Sequence, residues 1–515
     1  MRITNSMISN NSQIHIGNAK SQLMRSQDQY TTQKKIQRPS DDPTIAVRAL
    51  QLRTRYSHIT QYADANIKDA IEWIEDSEGK LKSIDSILTN MKGFMNQGAN
   101  DTLDAKQRSF VLETLQGNVR GIFEDNANGT FSDRYVFTGF RTDTSLLFME
   151  DTKNLEYKIT ENFETKDIDA VKVVTGGASY DGGSAASYAA DSPEEKKVYR
   201  MALAYDNCAG TNYKSDSATN EVIEIVLKDR KGNPIMDDSV TPSVPITYRP
   251  AVKASTDADA YDTDSAPGIN FLYDTGELIL SDEVYEKIQT ENAKEKVTIE
   301  ATYVKKEFEK GDIRPEMYFA CKSFHTQSNR EIEYADPSGQ DIRYEINFGQ
   351  VEKVNVQALD ALDTDIYRSV DYIAQTVHAV EEVENKLADV EKQLTNTTDT
   401  TQTHNLEKLK EVLTQELSLR TGVMQEAFSK GLTAISDAQT TVNISLADIG
   451  ARDNRMILTK NRLADEKIDT EKSMSENEDI DIADAYINLT QADNLYQASL
   501  SATAKILGNS LLNYI

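Results

Sequence analysis

The sequence contains few of the side chains that metal and redox sites need. Its 515 residues include two cysteines, Cys208 and Cys321, and a single tryptophan, Trp73. Two cysteines cannot hold a structural zinc ion by themselves, because such sites draw on a larger set of Cys and His ligands. The pair could form a disulfide or remain as two buried thiols, and the sequence leaves both interpretations open.

The histidines are too scattered to suggest a metal pair or a catalytic pair. None of them lies in a His-Cys or His-Glu motif, and we interpret them as solitary surface or partly buried side chains: His15, His58, His325, His378 and His404. We therefore expect no catalytic residue, no metal, no cofactor and no enzymatic activity.

Two loop-like tracts are candidate ligand sites. TGGASYDGGS at 175–184 is rich in glycine but lacks the Gly-Lys-Ser/Thr ending of a phosphate-binding loop. TDADAYDTDSAPG at 256–268 gathers four aspartates without the spacing and terminal glutamate of an EF-hand. We favour a flexible loop for the first and a solvated acidic loop over a calcium site for the second.

Positive charge is scarce. The chain has 56 lysines and arginines against 84 acidic residues, a net charge of −28. Such a chain repels nucleic acid and anionic membrane surfaces, so neither is an expected partner. No apolar run reaches the length of about 18 residues that a membrane-spanning helix needs. The start, MRITNSMISNNSQIHIGNAK, lacks the apolar stretch of a secretory signal peptide, so we expect either a cytoplasmic protein or export without a cleaved signal.

Apolar residues at both ends of the chain recur at helical spacing. One seam, with alternating steps of four and three, is Ala70, Ile74, Ser77, Leu81, Ile84, Leu88, Met91 and Met95. A second seam recurs every seven residues: Ile435, Val442, Ile449, Met456 and Leu463. No proline follows Pro337, so nothing of that kind interrupts the last helices, and TNTTDTTQTHN at 395–405 is expected to turn the chain between two of them.

The middle of the chain has the alternation typical of strands. EVIEIVLKD at 221–229, KVTIEATYV at 296–304 and IRYEINFG at 342–349 are the clearest examples. A short helix is expected at 192–205, with Ser192 as its N-cap and Pro193 in its first turn. Residues 150–360 hold 41 acids against 24 bases, more than half of the net charge. This composition favours a solvated outer domain.

These patterns predict a mainly α fold with a β-rich insertion. Long N- and C-terminal helices would pack together as a coiled coil or bundle, with the β-rich domain outermost. The predicted division is residues 1–42 with 470–515 as terminal assembly helices, 43–148 with 358–469 as a helical bundle domain, and 149–357 as a variable outer domain. Contact order would be very high, because residues hundreds of positions apart must meet.

An unusual stretch, KKIQRPSDDPTIAVRALQLR, occupies residues 34–53. We predict an elbow in which Pro39 ends one helix and Asp42-Pro43 starts the next. Acidic groups at a helix start stabilise its unpaired N–H groups, so Asp41 and Asp42 are interpreted as caps rather than as a catalytic pair. The predicted elbow comprises Arg38, Pro39, Ser40, Asp41, Asp42, Pro43 and Arg48.

Three motifs, in order along the chain, resemble one family. MRIT with RPSDDP and LQLR opens the chain, DRYVFTGFRTDTSLLF spans 133–148, and ENEDIDIADAYINLTQADNLYQASLSATAKILGNSLLNYI closes it. The chain thus resembles the flagellin-like hook-associated protein 3 family, the hook–filament junction proteins of bacterial flagella. The family motif in the second segment maps to Arg134, Tyr135, Phe137, Gly139 and Thr142, and the proline common before Phe148 is missing.

The resemblance implies a structural role. A member would form a junction ring between the hook side and the filament. Its partners would be copies of itself, the first hook-associated protein, flagellin and a flagellar export chaperone, and it would lie outside the cell after export without a cleaved signal. A filament flagellin, or an outer domain that binds surfaces or glycans, is the alternative. Assembly is expected through Ile3, Met7, Ile16, Leu23, Tyr30, Leu489, Ala492, Tyr496, Ile506 and Leu511.

Overall fold

Long helices occupy both ends of the chain and a β-rich region fills its middle, which confirms the predicted fold class. The structure is a computed structural model that describes residues 5–100, 103, 105–180, 189–215, 222–237, 243–264 and 266–512. The α-helices are α1 (Asn5–Thr32), α2 (Pro43–Thr60), α3 (Ile67–Gly98), α4 (Ala105–Arg120), α5 (Asp282–Lys294), α6 (Ala358–Ala361), α7 (Asp365–Asn396), α8 (Thr400–Glu478) and α9 (Ile482–Leu512). Short π-helical segments, Gln61–Asn66 and Gly121–Ala127, follow α2 and α4.

The strands build two larger sheets and three short hairpin pairs. They are β1 (Thr130–Phe131), β2 (Arg134–Tyr135), β3 (Thr152–Glu164), β4 (Asp169–Ser179), β5 (Ala189–Ala202), β6 (Ile223–Lys228), β7 (Met236–Asp237), β8 (Val244–Pro245), β9 (Thr247–Tyr248), β10 (Ala251–Lys253), β11 (Ile269–Leu272), β12 (Glu277–Leu280), β13 (Thr298–Phe308), β14 (Ala320–His325), β15 (Arg330–Tyr334), β16 (Arg343–Asn347) and β17 (Gln350–Lys353). One sheet has the order β10-β11-β12-β5-β4 and the other the order β15-β14-β3-β13-β6-β9.

Both predicted helical seams are buried. Every residue of the α3 seam, from Ala70 to Met95, is 0% exposed, and so is every residue of the α8 seam from Ile435 to Leu463. Between 72 and 98, α3 lies against α8: Gln439 Nε2 is 2.7 Å from Asp85 Oδ1, and Gly98 lies against Phe428. The seams are buried because each places all its apolar groups on one side of a polar helix.

The chain folds back between α7 and α8, where the polar tract at 395–405 predicted a turn. α7 ends at Asn396, and Asp399 caps the next helix by accepting from the Thr401 backbone N–H at 2.8 Å. From Thr400 the helix runs unbroken for 79 residues. The absence of proline after Pro337 is consistent with this length.

The predicted strands form, but the helix expected at 192–205 does not. Residues 189–202 are β5, which pairs with β4 on one side and β12 on the other. The register between β4 and β5 shifts between Thr175 and Gly177 of β4, and Pro193 of β5 lies opposite this shift. The missing N–H of Pro193 therefore removes little from the hydrogen bonding between the two strands. Ser192 and Pro193 resemble a helix start, but the segment forms a strand because pairing with two neighbouring strands buries Val198 and Met201.

The chain divides into two compact units. Unit 1 comprises residues 1–71, 344–352 and 454–515, and unit 2 comprises residues 72–343 and 353–453. The three-domain division drawn from the sequence stays a prediction. Unit 2 holds an extended apolar core, which includes Tyr157, Phe271, Ile299, Tyr303 and Phe308.

Two glycines of α3 test how tightly that helix packs. A Cβ at Gly98 would lie 2.2 Å from Phe428 Cε1, whereas a Cβ at Gly93 meets nothing within 4 Å. Gly98→Ala should therefore destabilise the protein by about 1–3 kcal/mol through overpacking. Gly93→Ala should stabilise it by up to about 1 kcal/mol, because alanine loses less backbone freedom.

Urea unfolding of both variants followed by circular dichroism measures the difference. Equal stabilities for the two variants would contradict the close packing of α3 on α8 at Gly98.

Candidate assembly surface

The first and last helices, α1 and α9, pack along each other in unit 1. Their buried positions are small: Ala19, Ser26, Ala485 and Ala492 are all less than 9% exposed. The ring of Tyr30 meets the ring of Tyr486 at 6.1 Å between centroids. Small side chains let the two helices approach closely but bury little apolar area, so the pair gains modest stabilisation from its own contact.

The same two helices leave large apolar groups in water. Those exposed by 40–60% of their surface are Met7, Ile14, Met24, Tyr30, Ile482, Tyr486, Ile487, Leu495 and Leu500. Of the 23 exposed large apolar side chains in the described residues, 16 lie in unit 1, which holds 142 of the 515 residues. A concentration of this kind marks a surface that other molecules cover.

The ten residues predicted for assembly fall into different environments. Met7 and Tyr30 are exposed, Ile16, Leu23, Leu489 and Tyr496 are half-buried, and Ala492 is buried in the α1–α9 contact. Ile3 lies outside the described residues. Ile506 and Leu511 belong to α9, but their side chains are outside the description.

Sequence reasoning missed the exposed apolar residues that lie off the seams. Ile14, Met24, Ile487 and Leu495 are 48–58% exposed. Heptad spacing identifies the side of a helix that faces its partner within the chain, not the side that faces solvent. Large apolar residues at helix positions outside the seam could have indicated this exposed surface from the sequence.

The break after α1 lies earlier than the sequence predicted. α1 ends at Thr32, seven residues before Pro39, so Pro39 does not end it. Gln33 instead adopts a φ of 61°, in the left-handed region that stops a helix, and its N–H donates to the Gln29 carbonyl at 2.9 Å. Residues 33–42 therefore form a linker rather than a sharp elbow.

The next helix begins as the residues suggest. Asp42 has extended backbone angles, and its Oδ1 accepts from the N–H groups of Thr44 at 2.9 Å and Ile45 at 3.2 Å. Pro43 is the first helical residue, where its lack of an N–H costs nothing. The side chain of Arg48 is exposed.

Asp41 does not cap α2, which corrects our interpretation of the acidic pair. Its Oδ2 accepts from the N–H of Arg38 at 2.9 Å and from the N–H of Gln37 at 3.1 Å. These two bonds lower the pKa of Asp41 below its usual range. Asp41 thus closes the turn around Pro39 and Ser40 before the helix starts.

A second break lies beside the first. α8 ends at Glu478 and α9 starts at Ile482. The Lys35 N–H donates to the Glu478 carbonyl at 2.7 Å, and the Ile480 N–H donates to the Gln33 carbonyl at 3.0 Å. The two linkers therefore pair like two short antiparallel strands. As a result, the break between α1 and α2 lies beside the break between α8 and α9.

Glu478 is the anchor of this double linker. Its side chain is 7% exposed, and Arg53 of α2 binds it through two bonds, Nε to Oε1 at 2.9 Å and Nη2 to Oε2 at 2.5 Å. Lys34 lies 3.6 Å from the same carboxylate and also contacts Asp479. A fork of this kind fixes orientation as well as distance, so it holds α2 against the end of α8.

The motif at 134–142 closes a loop in unit 2. The Tyr135 N–H donates to the Thr142 carbonyl at 2.8 Å, and Gly139 has a φ of 62°. A side chain at Gly139 would clash with Gln340, whose Oε1 accepts from the Phe140 N–H at 2.9 Å. The loop thus ties the segment entering the β-rich region to the segment leaving it.

Two further contacts complete that tie. Phe137 is buried, and its carbonyl accepts from the Ala358 N–H at 2.8 Å. The Arg134 guanidinium lies 5.1 Å from the centre of the Trp73 ring, where a cation is attracted to the aromatic face.

Within the described ranges, no group of three or more histidines, cysteines or acids is placed to hold a metal ion. Among the same residues, no helix is long and apolar enough to cross a membrane. Cys208 and Cys321 are both free and buried, which decides between the two interpretations left open by the sequence. Burial raises the pKa of the Cys208 thiol to about 12 and also raises that of Cys321.

The family models match both ends of the chain. The bacterial flagellin N-terminal helical region matches residues 3–142, and the bacterial flagellin C-terminal helical region matches residues 432–515. Both ends of the chain are thus similar to the terminal helical regions of flagellins. The N-terminal match ends at Thr142, the last residue of the loop that ties the two segments.

Two curated relatives share its sequence over 146 residues. Flagellar hook-associated protein 3 of Salmonella typhimurium is 28% identical, and that of Escherichia coli is 27% identical. Each match covers 28% of this chain and 45% of the relative, so the chain spans about half the length of the curated relatives it matches. The predicted resemblance to hook-associated protein 3 is confirmed.

Solved structures of similarly named proteins align over most of the chain at low similarity. Flagellar hook associated protein-3 from Legionella pneumophila covers 83% of this chain and 98% of its own, with 12% identity and a TM-score of 0.31. The flagellar junction protein from the same organism covers 79% and 99%, with 10% identity and a TM-score of 0.28.

Two Arg–Glu pairs join α2 to α8 and test the role of the anchor. Glu478 is 7% exposed in its pair with Arg53, whereas Glu466 is 32% exposed in its pair with Arg55. Glu478→Ala should destabilise unit 1 by about 1–2 kcal/mol, because a largely buried, two-bond acceptor is lost. Glu466→Ala should change stability by less than about 0.5 kcal/mol.

Hydrogen exchange at the amides of Lys35 and Ile480 reports the pairing of the linkers directly. Faster exchange in both variants alike, or in neither, would contradict the anchoring role of Glu478.

Proposed function

We propose that the protein is a structural subunit of the bacterial flagellum that forms the hook–filament junction ring. The concentration of exposed apolar side chains in unit 1 carries this proposal, together with the flagellin terminal regions that supply them. The names of the curated relatives, flagellar hook-associated protein 3, favour the junction over other positions in the flagellum.

The driving force for assembly is the removal of those apolar groups from water. Fully burying one large apolar side chain contributes about 1.5–3 kcal/mol. α1 and α9 together expose nine such side chains, so packing against neighbouring subunits outweighs what the two helices gain from each other. We therefore propose that both helices become fully ordered only when subunits assemble.

The partners follow from a ring between two different structures. Copies of this chain would contact each other sideways, the first hook-associated protein would lie on the hook side, and flagellin would lie on the filament side. Before assembly, an export chaperone would cover the exposed side of α9. The protein would act outside the cell, after export without a cleaved signal, and would have no catalytic role.

A filament flagellin is the second candidate, because the same terminal regions match flagellins. Purified flagellin would polymerise alone into long filaments, whereas a junction subunit would stop at a short assembly. The region 149–357 could in addition bind a surface or a glycan, which binding of the full chain to a glycan panel would detect.

The assembly surface is tested by removing apolar groups of α9 other than Tyr486, which contacts Tyr30 of α1. Ile487→Gln with Leu495→Gln removes two side chains that are 50% and 48% exposed. We expect the variant to fold but to lose its position at the filament base, seen as loss of a single fluorescent spot and of swimming. Removing residues 1–35 or 480–515 should have the same effect.

The matched control is Met236→Gln with Val244→Gln, two side chains of unit 2 that are 45% and 44% exposed. This control should localise normally. Normal localisation of the α9 variant, or labelling along the whole filament by the unaltered protein, would overturn the junction proposal.

A further inference from the structure

Two buried ionisable side chains, Glu161 and Arg368, lie near the start of α7. Glu161 on β3 is 7% exposed and Arg368 on α7 is 8% exposed. No cation in the described residues lies within ion-pair distance of the Glu161 carboxyl group. Its Oε2 instead lies 3.1 Å from the Ala204 N–H nitrogen and 3.1 Å from the Tyr303 hydroxyl oxygen.

Arg368 holds a turn of the five-stranded sheet. Its Nη2 donates to the carbonyl of Thr275 at 2.7 Å and lies 3.5 Å from that of Gly276, both in the β11–β12 turn. The Gly276 carbonyl also accepts from the Leu203 N–H at 2.9 Å. Arg368 therefore joins α7 to the β-rich region through this turn.

Part of the Arg368 guanidinium has no partner. Its Nε and Nη1 are buried without a hydrogen-bond acceptor, and Nη1 is 3.8 Å from Asp371 Oδ2, too far for a hydrogen bond. Buried N–H groups that lack an acceptor are costly, so these atoms would gain from a carboxylate that turned towards them.

The surroundings disfavour a charge on Glu161. A buried carboxyl group without a paired cation is more stable as the neutral acid, because the ion loses its hydration. Burial raises the pKa of Glu161 to about 8, while the Ala204 N–H, the Tyr303 hydroxyl and the Arg368 charge oppose that rise.

Carboxylates outnumber cations around Glu161 and Arg368 among the described residues. The cations near these groups include Arg368 itself, Lys305 of β13, and Arg200 of β5, whose Nη2 lies 3.7 Å from Asp169 Oδ2. The titratable groups that face them from the packed elements are Asp363, Asp365 and Asp371 at the start of α7, Asp167 and Asp169 next to β4, Asp206 and Cys208 after β5, Asp312 after β13, and the hydroxyl groups of Tyr205 and Tyr303. Additional negative charge at Glu161 therefore adds repulsion from several sides.

We propose that Glu161 and Arg368 form a proton-controlled latch between the β-rich region and α7. With Glu161 neutral, Arg368 holds the turn at Thr275 and Gly276. When Glu161 releases its proton to water, the carboxylate draws the free Nε and Nη1 of Arg368 towards itself, and the turn is released. This inference does not depend on the proposed function.

The direction of the pH effect follows from the proton. The latched state keeps a proton that an ordinary glutamate, with a pKa of about 4.3, would already have lost. The latch is therefore complete below that value and is lost as the pH rises towards about 8. Across this interval the equilibrium constant for opening should rise by up to about tenfold per pH unit.

Hydrogen exchange of the full chain measures the latch at the Leu203 amide, which donates to Gly276. Protection factors, corrected for the intrinsic pH dependence of exchange, should fall between pH 5.5 and 8.5 in the unaltered protein. Glu161→Gln keeps the side-chain size and cannot ionise, so its protection should stay constant. A pH dependence in Glu161→Gln equal to that of the unaltered protein would overturn the proposal.

Glu156→Gln is the matched control on the same strand. Glu156 is also 7% exposed, but it lies 3.4 Å from Lys306 Nζ and accepts from the Lys214 N–H at 2.8 Å. This variant should retain the pH dependence of the unaltered protein. If it abolishes that dependence as Glu161→Gln does, the effect is not specific to Glu161 and the latch is wrong.

Arg368→Gln tests the other half of the latch. It should lower protection at Leu203 at every pH, because the turn loses its donor. Unchanged protection at pH 5.5 in a folded Arg368→Gln protein would exclude the latch. Should this variant fail to fold, the two glutamate variants decide the outcome.

Discussion

The structure depends on the burial of one apolar seam, that of α3, against residues that lie more than 300 positions later in the chain. Phe428 lies against Gly98, and Gln439 binds Asp85, so α3 and α8 pass each other side by side within unit 2. Neither helix has an apolar core of its own. The chain can therefore place a long, β-rich insertion between α3 and α8 while these two helices still form one helical core together.

The same constraint explains the double linker in unit 1. Where α1 and α2 are separated, α8 and α9 are separated as well, and backbone bonds from Lys35 and Ile480 join the two breaks. Glu478, at the end of α8, holds the paired linkers beside α2 by binding Arg53. On one side of the linkers the helices bury large apolar groups. On the other side, α1 and α9 meet through alanine and serine, and most of their large apolar side chains with described burial are exposed.

The β-rich region follows a different rule. Its core is its own. Its contacts with α7 include the buried guanidinium of Arg368 and also Tyr180, which packs against the apolar cluster that contains Val383 and Val390. Buried ionisable groups are costly, so the Arg368 contact adds little stability by itself. The two free thiols of the β-rich region, Cys208 and Cys321, are buried. In its acidic loop, Asp259 binds Lys253 at 2.9 Å.

The sequence by itself determined the helical seams, the turn at 395–405, the cap formed by Asp42 and the resemblance to flagellins, because these depend on local spacing and on motifs. Only the tertiary structure decided the rest. Strand pairing turned residues 192–202 from a predicted helix into β5, and a left-handed Gln33 ended α1 before Pro39 could. Which apolar residues of α1 and α9 stay exposed was likewise undecided, because exposure depends on the partner helix. The burial of Glu161 and Arg368 likewise depends on elements that meet only in the folded protein.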